Sequence, residues 1–210
     1  MCGRFILLTD LAAIVEHFDV GQTALASLPA GDLLPGQAIP AVIREGKNRL
    51  VTFRWGLIPS WAKDPAVGRK MINARAETLA QKPSFREALQ RRRCLIPADG
   101  FYEWAGEKGH RTAVRFRLRS GEPFGFAGLY DTWRSGDAGE PLNTCTIITT
   151  ESNPLVAAVH DRMPVILASG KRDLWLDPSL RNPTELLPLL APYPAGKMIL
   201  EVVAPQPCLV

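Results

Sequence analysis

The second residue of the chain is a cysteine, Cys2, and only Met1 precedes it. Removing Met1 leaves a chain that begins with a 1,2-aminothiol. The free amine has a reference pKa of about 7.7–8.0 and the thiol one of about 8.5, so reactive forms of both exist near neutrality. Such an amine condenses with an aldehyde to an imine, and the thiol then closes a five-membered thiazolidine ring. An internal cysteine cannot do this. Three other side chains have the chemistry to assist. His160, in His160-Asp161-Arg162 before Met163-Pro164, carries an imidazole suited to proton transfer. Glu103 lies among aromatics in Phe101-Tyr102-Glu103-Trp104; burial there would raise its pKa and make it a candidate acid or base. Asn73 opens Asn73-Ala74-Arg75-Ala76-Glu77 and offers both a donor and an acceptor.

Other residues suit the holding of an anionic strand. Arg75 can clamp a phosphate bidentately, and Arg162 can bind a phosphate or pair with Asp161. Trp61, Pro59 and Pro35 fall in Pro-rich loops, where an aromatic beside a basic groove can stack on a base. Each residue also has a structural alternative. Cys2 is then an ordinary terminal residue and His160 a helix-end histidine. Glu103 faces solvent by alternation, Asn73 is a helix N-cap beside an Arg75–Glu77 surface pair, and Trp61 is a packing residue. The run Arg91-Arg92-Arg93 reads as a solvated helix end.

The elements that must position these residues are mostly strands. Cys2 to Leu8 reads as a strand, followed by a helix capped by Asp10 with Leu11, Ile14, Val15 and Phe18 on one face. Residues 29–40 are rich in Pro and Gly and read as a rigid loop. Strands follow at Ala41–Arg44 and Arg49–Trp55, then a long connection over 56–73. A capping box, Ser84-Phe85-Arg86-Glu87, starts a helix to about Arg92. Further strands are predicted at Cys94–Ile96, Phe101–Trp104, Thr112–Leu118, Phe124–Tyr130, Thr144–Thr149, Pro164–Leu167 and Met198–Val203. A short helix opens at Asn153-Pro154 and ends near His160, and two more lie near Lys171–Leu176 and Pro183–Leu190. The expectation is one α+β domain over residues 1–210, with a mainly antiparallel, barrel-like core and peripheral helices.

Composition agrees with a globular chain of 210 residues: 46% apolar, 22% charged, net charge +4. The charge is uneven. Residues 44–119 hold 18 Lys and Arg against 7 Asp and Glu, a balance of +11, and the remainder is −7. A polyanion-binding face and a solvated basic surface both fit that asymmetry. The four cysteines, Cys2, Cys94, Cys145 and Cys208, show no metal-ligand spacing, and Cys94 and Cys145 lie in apolar runs that suit buried thiols. No signal peptide and no membrane span is predicted, so the expected setting is cytosolic with reduced thiols.

Five segments, taken together and in this order, resemble the SOS-response-associated peptidase (SRAP) family. They are Met1-Cys2-Gly3-Arg4-Phe5; Trp55-Gly56-Leu57-Ile58-Pro59-Ser60-Trp61; Ile72 to Thr78; Pro97 to Trp104; and His160 to Pro164, covering roughly residues 1–170. The resemblance implies a protein that recognises abasic sites in single-stranded DNA. Cys2, freed of Met1, would form a thiazolidine crosslink with the ring-opened sugar aldehyde. It implies that Asn73 orients cysteine and sugar, that Glu103 and His160 assist proton transfers, and that Arg4, Arg75 and Arg162 hold phosphates. Pro35 and Trp61 would wedge or stack where the strand kinks. No metal or organic cofactor is implied, and the expectation is a monomer associated with the nucleoid. Three features depart from the family pattern. Asp32-Leu33-Leu34-Pro35 stands where Asn-x-Ala-Pro is usual, Ala62 replaces a frequent second tryptophan, and the Val-Asn motif is missing after Val203, where the chain reads Ala204 to Val210. A Cys2-dependent peptidase or amidohydrolase, using His160 and Glu103, is a second reading. A non-covalent single-stranded DNA module is a third.

Overall fold

The computed structural model describes residues 2–106, 110, 112–136 and 139–203; Met1, Cys208 and the divergent tail 204–210 lie outside the described residues. Fourteen strands are present among them: β1 (Phe5–Leu7), β2 (Val20–Thr23), β3 (Gly31–Leu33), β4 (Ala38–Glu45), β5 (Lys47–Trp55), β6 (Asn73–Arg75), β7 (Arg93–Ala98), β8 (Gly100–Ala105), β9 (Thr112–Leu118), β10 (Phe124–Trp133), β11 (Leu142–Glu151), β12 (Arg162–Pro164), β13 (Ile166–Leu167) and β14 (Met198–Val202). The helices are α1 (Leu11–His17), α2 (Pro83–Arg91), α3 (Pro154–Ala157), α4 (Ser169–Leu176) and α5 (Pro183–Leu186).

Five strands close into a barrel. β4 pairs antiparallel with β5 and β7, β7 with β10, and β10 with β11; β11 then meets β5 in parallel at Thr144↔Arg54 and Cys145↔Trp55, completing the ring. Closure removes the exposed edges that open sheets must protect. A second, wholly antiparallel sheet runs β14-β9-β8-β1-β3. This α+β arrangement, with a barrel core and peripheral helices, is the class expected from the sequence.

Aromatic packing joins the two sheets. Phe5 of β1 lies 5.3 Å from Trp55 of β5 and 5.7 Å edge-on to Phe126 of β10, while Phe101 of β8 stacks on Phe116 of β9 at 5.1 Å. All five are fully buried. Each contributes roughly 1.5–3 kcal/mol by leaving water, and each ring pair about 0.5–1.5 kcal/mol more. The segment that carries Cys2 is thereby tied into the core.

Several local expectations change. Residues 29–40 are not all loop: β3 forms inside them because Gly31–Leu33 pairs with β1. The capping box does not cap α2; Lys82 is the N-cap, with no side-chain bond, and Pro83 occupies the first turn, where its missing N–H is harmless. Arg93 is no solvated helix end. It is 5% exposed, and its guanidinium donates to the carbonyls of Trp175, Leu89, Gln90 and Asp177. The predicted strand Pro164–Leu167 is two strands, β12 on β11 and β13 on β10. The predicted helix over Pro183–Leu190 is α5 followed by a 3-10 turn at Leu187–Leu190. Asp10 caps α1 as expected, accepting from Ala13 N.

Candidate active site

The site forms where the N-terminal segment runs along β8. The register Phe5↔Phe101, Ile6↔Gly100 continues backwards through a bond from Tyr102 N–H to the Arg4 carbonyl, 3.0 Å. That continuation carries residues 2 and 3 past Glu103. The exit of β1 is held by Asp99, whose carboxylate accepts from Leu8 N, Thr9 N and Thr9 Oγ1 at 2.5, 2.8 and 2.6 Å.

Asn73 reaches the same place from the other sheet. It does not cap a helix. It opens β6, which pairs in parallel with β11 at Ile147↔Asn73. The indole of buried Trp55 donates to the Ile72 carbonyl, 2.8 Å, and fixes the residue before it. Asn73 Nδ2 donates to the Cys2 carbonyl at 2.8 Å, while Asn73 Oδ1 is buried and accepts nothing from the described residues. Such an orphan acceptor carries a desolvation cost of about 1–3 kcal/mol. A donor supplied by a ligand would recover it.

Cys2 itself is 1% exposed. Burial, reinforced by the nearby Glu103 carboxylate, pushes its thiol up to about 12, so the sulfur carries its proton at neutral pH. Glu103 is 3% exposed and does not face solvent. Burial raises its pKa above the usual carboxylate range, and the positive charge of His160 opposes that rise. Cys2, Glu103, His160 and Asn73 are therefore brought together from four separate segments.

His160 sits in the turn between α3 and β12. Asn153 caps α3 through Val156 N, and His160 N–H bonds the Val156 carbonyl at 2.9 Å. Its Nδ1 lies 3.0 Å from the Arg162 backbone N–H and 2.9 Å from Asp161 Oδ1. Without a proton, Nδ1 accepts from the first; with one, it donates to the second. Both protonation states thus have a partner, which suits a group that exchanges protons.

The cationic residues divide. Arg4 pairs with Asp32 and lies 4.6 Å over the Tyr102 ring. β1–β3 pairing explains this: Asp32 stands opposite Ile6, diagonal to Arg4 on one face. Arg162 is bidentate on Glu77, at 2.6 and 2.9 Å, and also bonds the Thr149 carbonyl. So Glu77 pairs with Arg162, and no Arg75–Glu77 pair forms. Arg75 is exposed and has no ion pair among the described residues. Trp61 is 64% exposed and so is not a packing residue, and Pro35 is exposed beside a cavity that reaches Trp55 and Ile72. Beside Trp61, Trp133 Nε1 donates to the Ala62 carbonyl at 2.7 Å, a contact between residues 71 apart that spacing cannot reveal. Asp32, Trp55 and Asp99 are partners that sequence reasoning did not assign, and Glu77 was paired with the wrong arginine. Among the described residues no cluster of three or more His, Cys, Asp or Glu side chains is placed to hold a metal ion. No helix among them is long and apolar enough to cross a membrane.

Comparison with known proteins follows the same lines. The chain is 48% identical over 206 residues to the abasic site processing protein YoqW of Bacillus subtilis (strain 168), covering 94% of this chain and 90% of that one. It is 34% identical over 166 residues to the abasic site processing protein HMCES of Gallus gallus, covering 68% of this chain and 49% of that one. A crystal structure of a protein from Bacteroides thetaiotaomicron superposes with a TM-score of 0.89 at 28% identity, covering 97% and 92% of the two chains. The family model described as SOS response associated peptidase (SRAP) matches residues 1–206, and the chain belongs to that family.

Proposed function

We propose that the protein processes abasic sites in single-stranded DNA by forming a thiazolidine through Cys2 once Met1 has been removed. The observation that carries this reading is the hydrogen bond from Asn73 Nδ2 to the Cys2 carbonyl, beside a buried Glu103. It holds the N-terminal residue against an acid–base group. The names of the relatives, which are abasic site processing proteins, support the same substrate.

The chemistry balances without an outside reagent. The Cys2 amine adds to the C1′ aldehyde of the ring-opened sugar, and loss of water gives the imine. The S–H then adds across C=N: sulfur bonds to C1′ and the proton ends on nitrogen. Because burial keeps the thiol protonated, ring closure needs a carrier for that proton. Glu103, with its raised pKa, can donate to the departing hydroxyl and then take the thiol proton. His160 assists opening of the sugar ring. Arg75 is the cation ready to meet a phosphate, while Arg4 and Arg162 do so by exchanging Asp32 and Glu77 for it. Pro35 and Trp61 flank the strand.

The test compares wild type, Cys2→Ser and Cys2→Ala on an abasic oligonucleotide, with and without borohydride. Wild type is expected to give an adduct that survives denaturing electrophoresis without reductant. Cys2→Ser should give one mainly after reduction of its imine. An unreduced adduct of equal yield from Cys2→Ala would overturn the mechanism.

A further inference from the structure

A cavity of about 560 Å³ lies against the loop that leads into Asn73. Its apolar wall includes Pro35, Ile58 and Ile72, and its charged lining is Arg54, Arg69 and Asp64. The loop is shaped for this by close backbone approach. Gly56 has φ +131°, and a Cβ there would stand 2.7 Å from the Gly68 carbonyl oxygen. Ile72 is the residue whose carbonyl Trp55 holds, and its successor Asn73 bonds the Cys2 carbonyl. The cavity therefore shares a wall with the reaction site.

The arginines of this wall differ from several others in the same basic stretch. Arg44, Arg92, Arg115 and Arg117 are all spent on carboxylates. Arg54 and Arg69 are exposed and have no ion pair among the described residues. Asp64 lies on the same cavity but forms a salt bridge with neither; its Oδ1 accepts the Ala66 N–H at 2.8 Å. Two unneutralised guanidinium groups beside an apolar slot, with one carboxylate acceptor, suit a nucleotide. The guanidiniums match phosphate, the slot takes the flat base, and Asp64 can accept from an exocyclic amine. A purely apolar ligand would leave the cations unused, and a free dicarboxylate or inorganic anion would leave the slot empty.

We infer that this cavity is a subsite for a nucleotide flanking the lesion, with its base in the slot and its phosphate on Arg54 and Arg69. The inference rests on the abasic-DNA reading for the identity of the strand and extends it to a neighbouring position. It makes the protein a reader of an intact base beside the missing one.

The test uses single strands bearing a tetrahydrofuran at the lesion, which has no aldehyde, so only non-covalent affinity is measured. A second tetrahydrofuran then replaces, one at a time, each of the two nucleotides on either side. With wild-type protein, one flanking position is expected to lose about tenfold in affinity when its base is missing. Ala66→Trp, which fills the cavity from an exposed turn, should abolish that difference. Arg54→Gln with Arg69→Gln should weaken binding about tenfold and flatten the salt dependence by roughly one to one and a half units of slope. Equal affinity for every flanking deletion would overturn the subsite. So would the same positional loss in Ala66→Trp, or no binding of the strand by wild type. Failure of the thiazolidine chemistry shows instead in the Cys2 adduct assay, which these strands cannot undergo.

Discussion

Glu103 shows what a buried acid costs a fold. Its folded pKa lies above its unfolded value, because burial penalises the carboxylate. The associated stability is therefore fully present below the ordinary glutamate range and is lost as pH rises through the folded value. Glu103→Gln is isosteric and cannot ionise. It is expected to raise the melting temperature at neutral pH, to give no gain near pH 4, and to slow adduct formation at least tenfold; calorimetry and timed crosslinking check the three together. A variant of unchanged melting temperature at neutral pH would mean that Glu103 is not strained in the folded chain. Asp32 is the second test at this scale. It occupies Arg4, so Asp32→Asn should release that guanidinium and tighten single-stranded DNA binding severalfold at low salt, as read by anisotropy. Weaker binding would show that the pair serves the strand as it stands. The aromatic neighbours of Glu103 suggested burial, but strand alternation left a solvent-facing side chain equally open in the sequence, and the structure decides for burial. The Arg4–Asp32 pair was not legible there, because it depends on the β1–β3 register, and no local pattern specifies that.

The elements act mainly by presenting short segments at fixed positions. β6 is three residues, Asn-Ala-Arg, with little strand propensity, and it exists because β11 and the Trp55 indole hold it. This is why the sequence offered a helix cap as the alternative for Asn73. Trp55→Phe removes one of the two donors to the Ile72 carbonyl, which keeps the Ile147 N–H at 3.1 Å. It should cost about 0.5–1.5 kcal/mol in denaturant titrations and slow adduct formation through displacement of Asn73. Unaltered kinetics would show that Asn73 is positioned by β11 alone. The N-terminal segment depends in the same way on Asp99. Asp99→Ala removes three acceptor contacts at the end of β1 and should cost about 2–3 kcal/mol. By contrast, β9, β10 and β11 were legible almost throughout, because their alternating and β-branched runs are long. The barrel closure was less so: one parallel pairing, β5 on β11, joins strands nearly a hundred residues apart.

Across the whole molecule, the charge asymmetry has two causes. Part of the +11 over residues 44–119 is neutralised by acids from outside that stretch: Arg44 by Asp173, Arg92 by Asp131, and Arg115 with Arg117 by Glu201. Those pairs fasten the basic stretch to the rest of the fold. Arg54 and Arg69 on the cavity and Arg75 on β6 are among the cations of the stretch with no ion pair among the described residues. With Arg4 and Arg162 exchanging their carboxylates for phosphate, five contacts predict a slope of log affinity against log salt of about −3.5 for single strands. A slope near zero would exclude phosphate contacts by all five. One near about −2 would mean that Arg4 and Arg162 keep their carboxylates when DNA binds. Sequence counting sees the total charge, and only the tertiary pairing separates the two populations.

The most direct test of the central claim is peptide mapping of the protein after reaction with an abasic single strand. The expected product is an N-terminal peptide that begins at Cys2, lacks Met1, carries the sugar remnant with loss of one water, and has no free thiol. A crosslinked peptide that retains Met1, or attachment at a lysine, would contradict it.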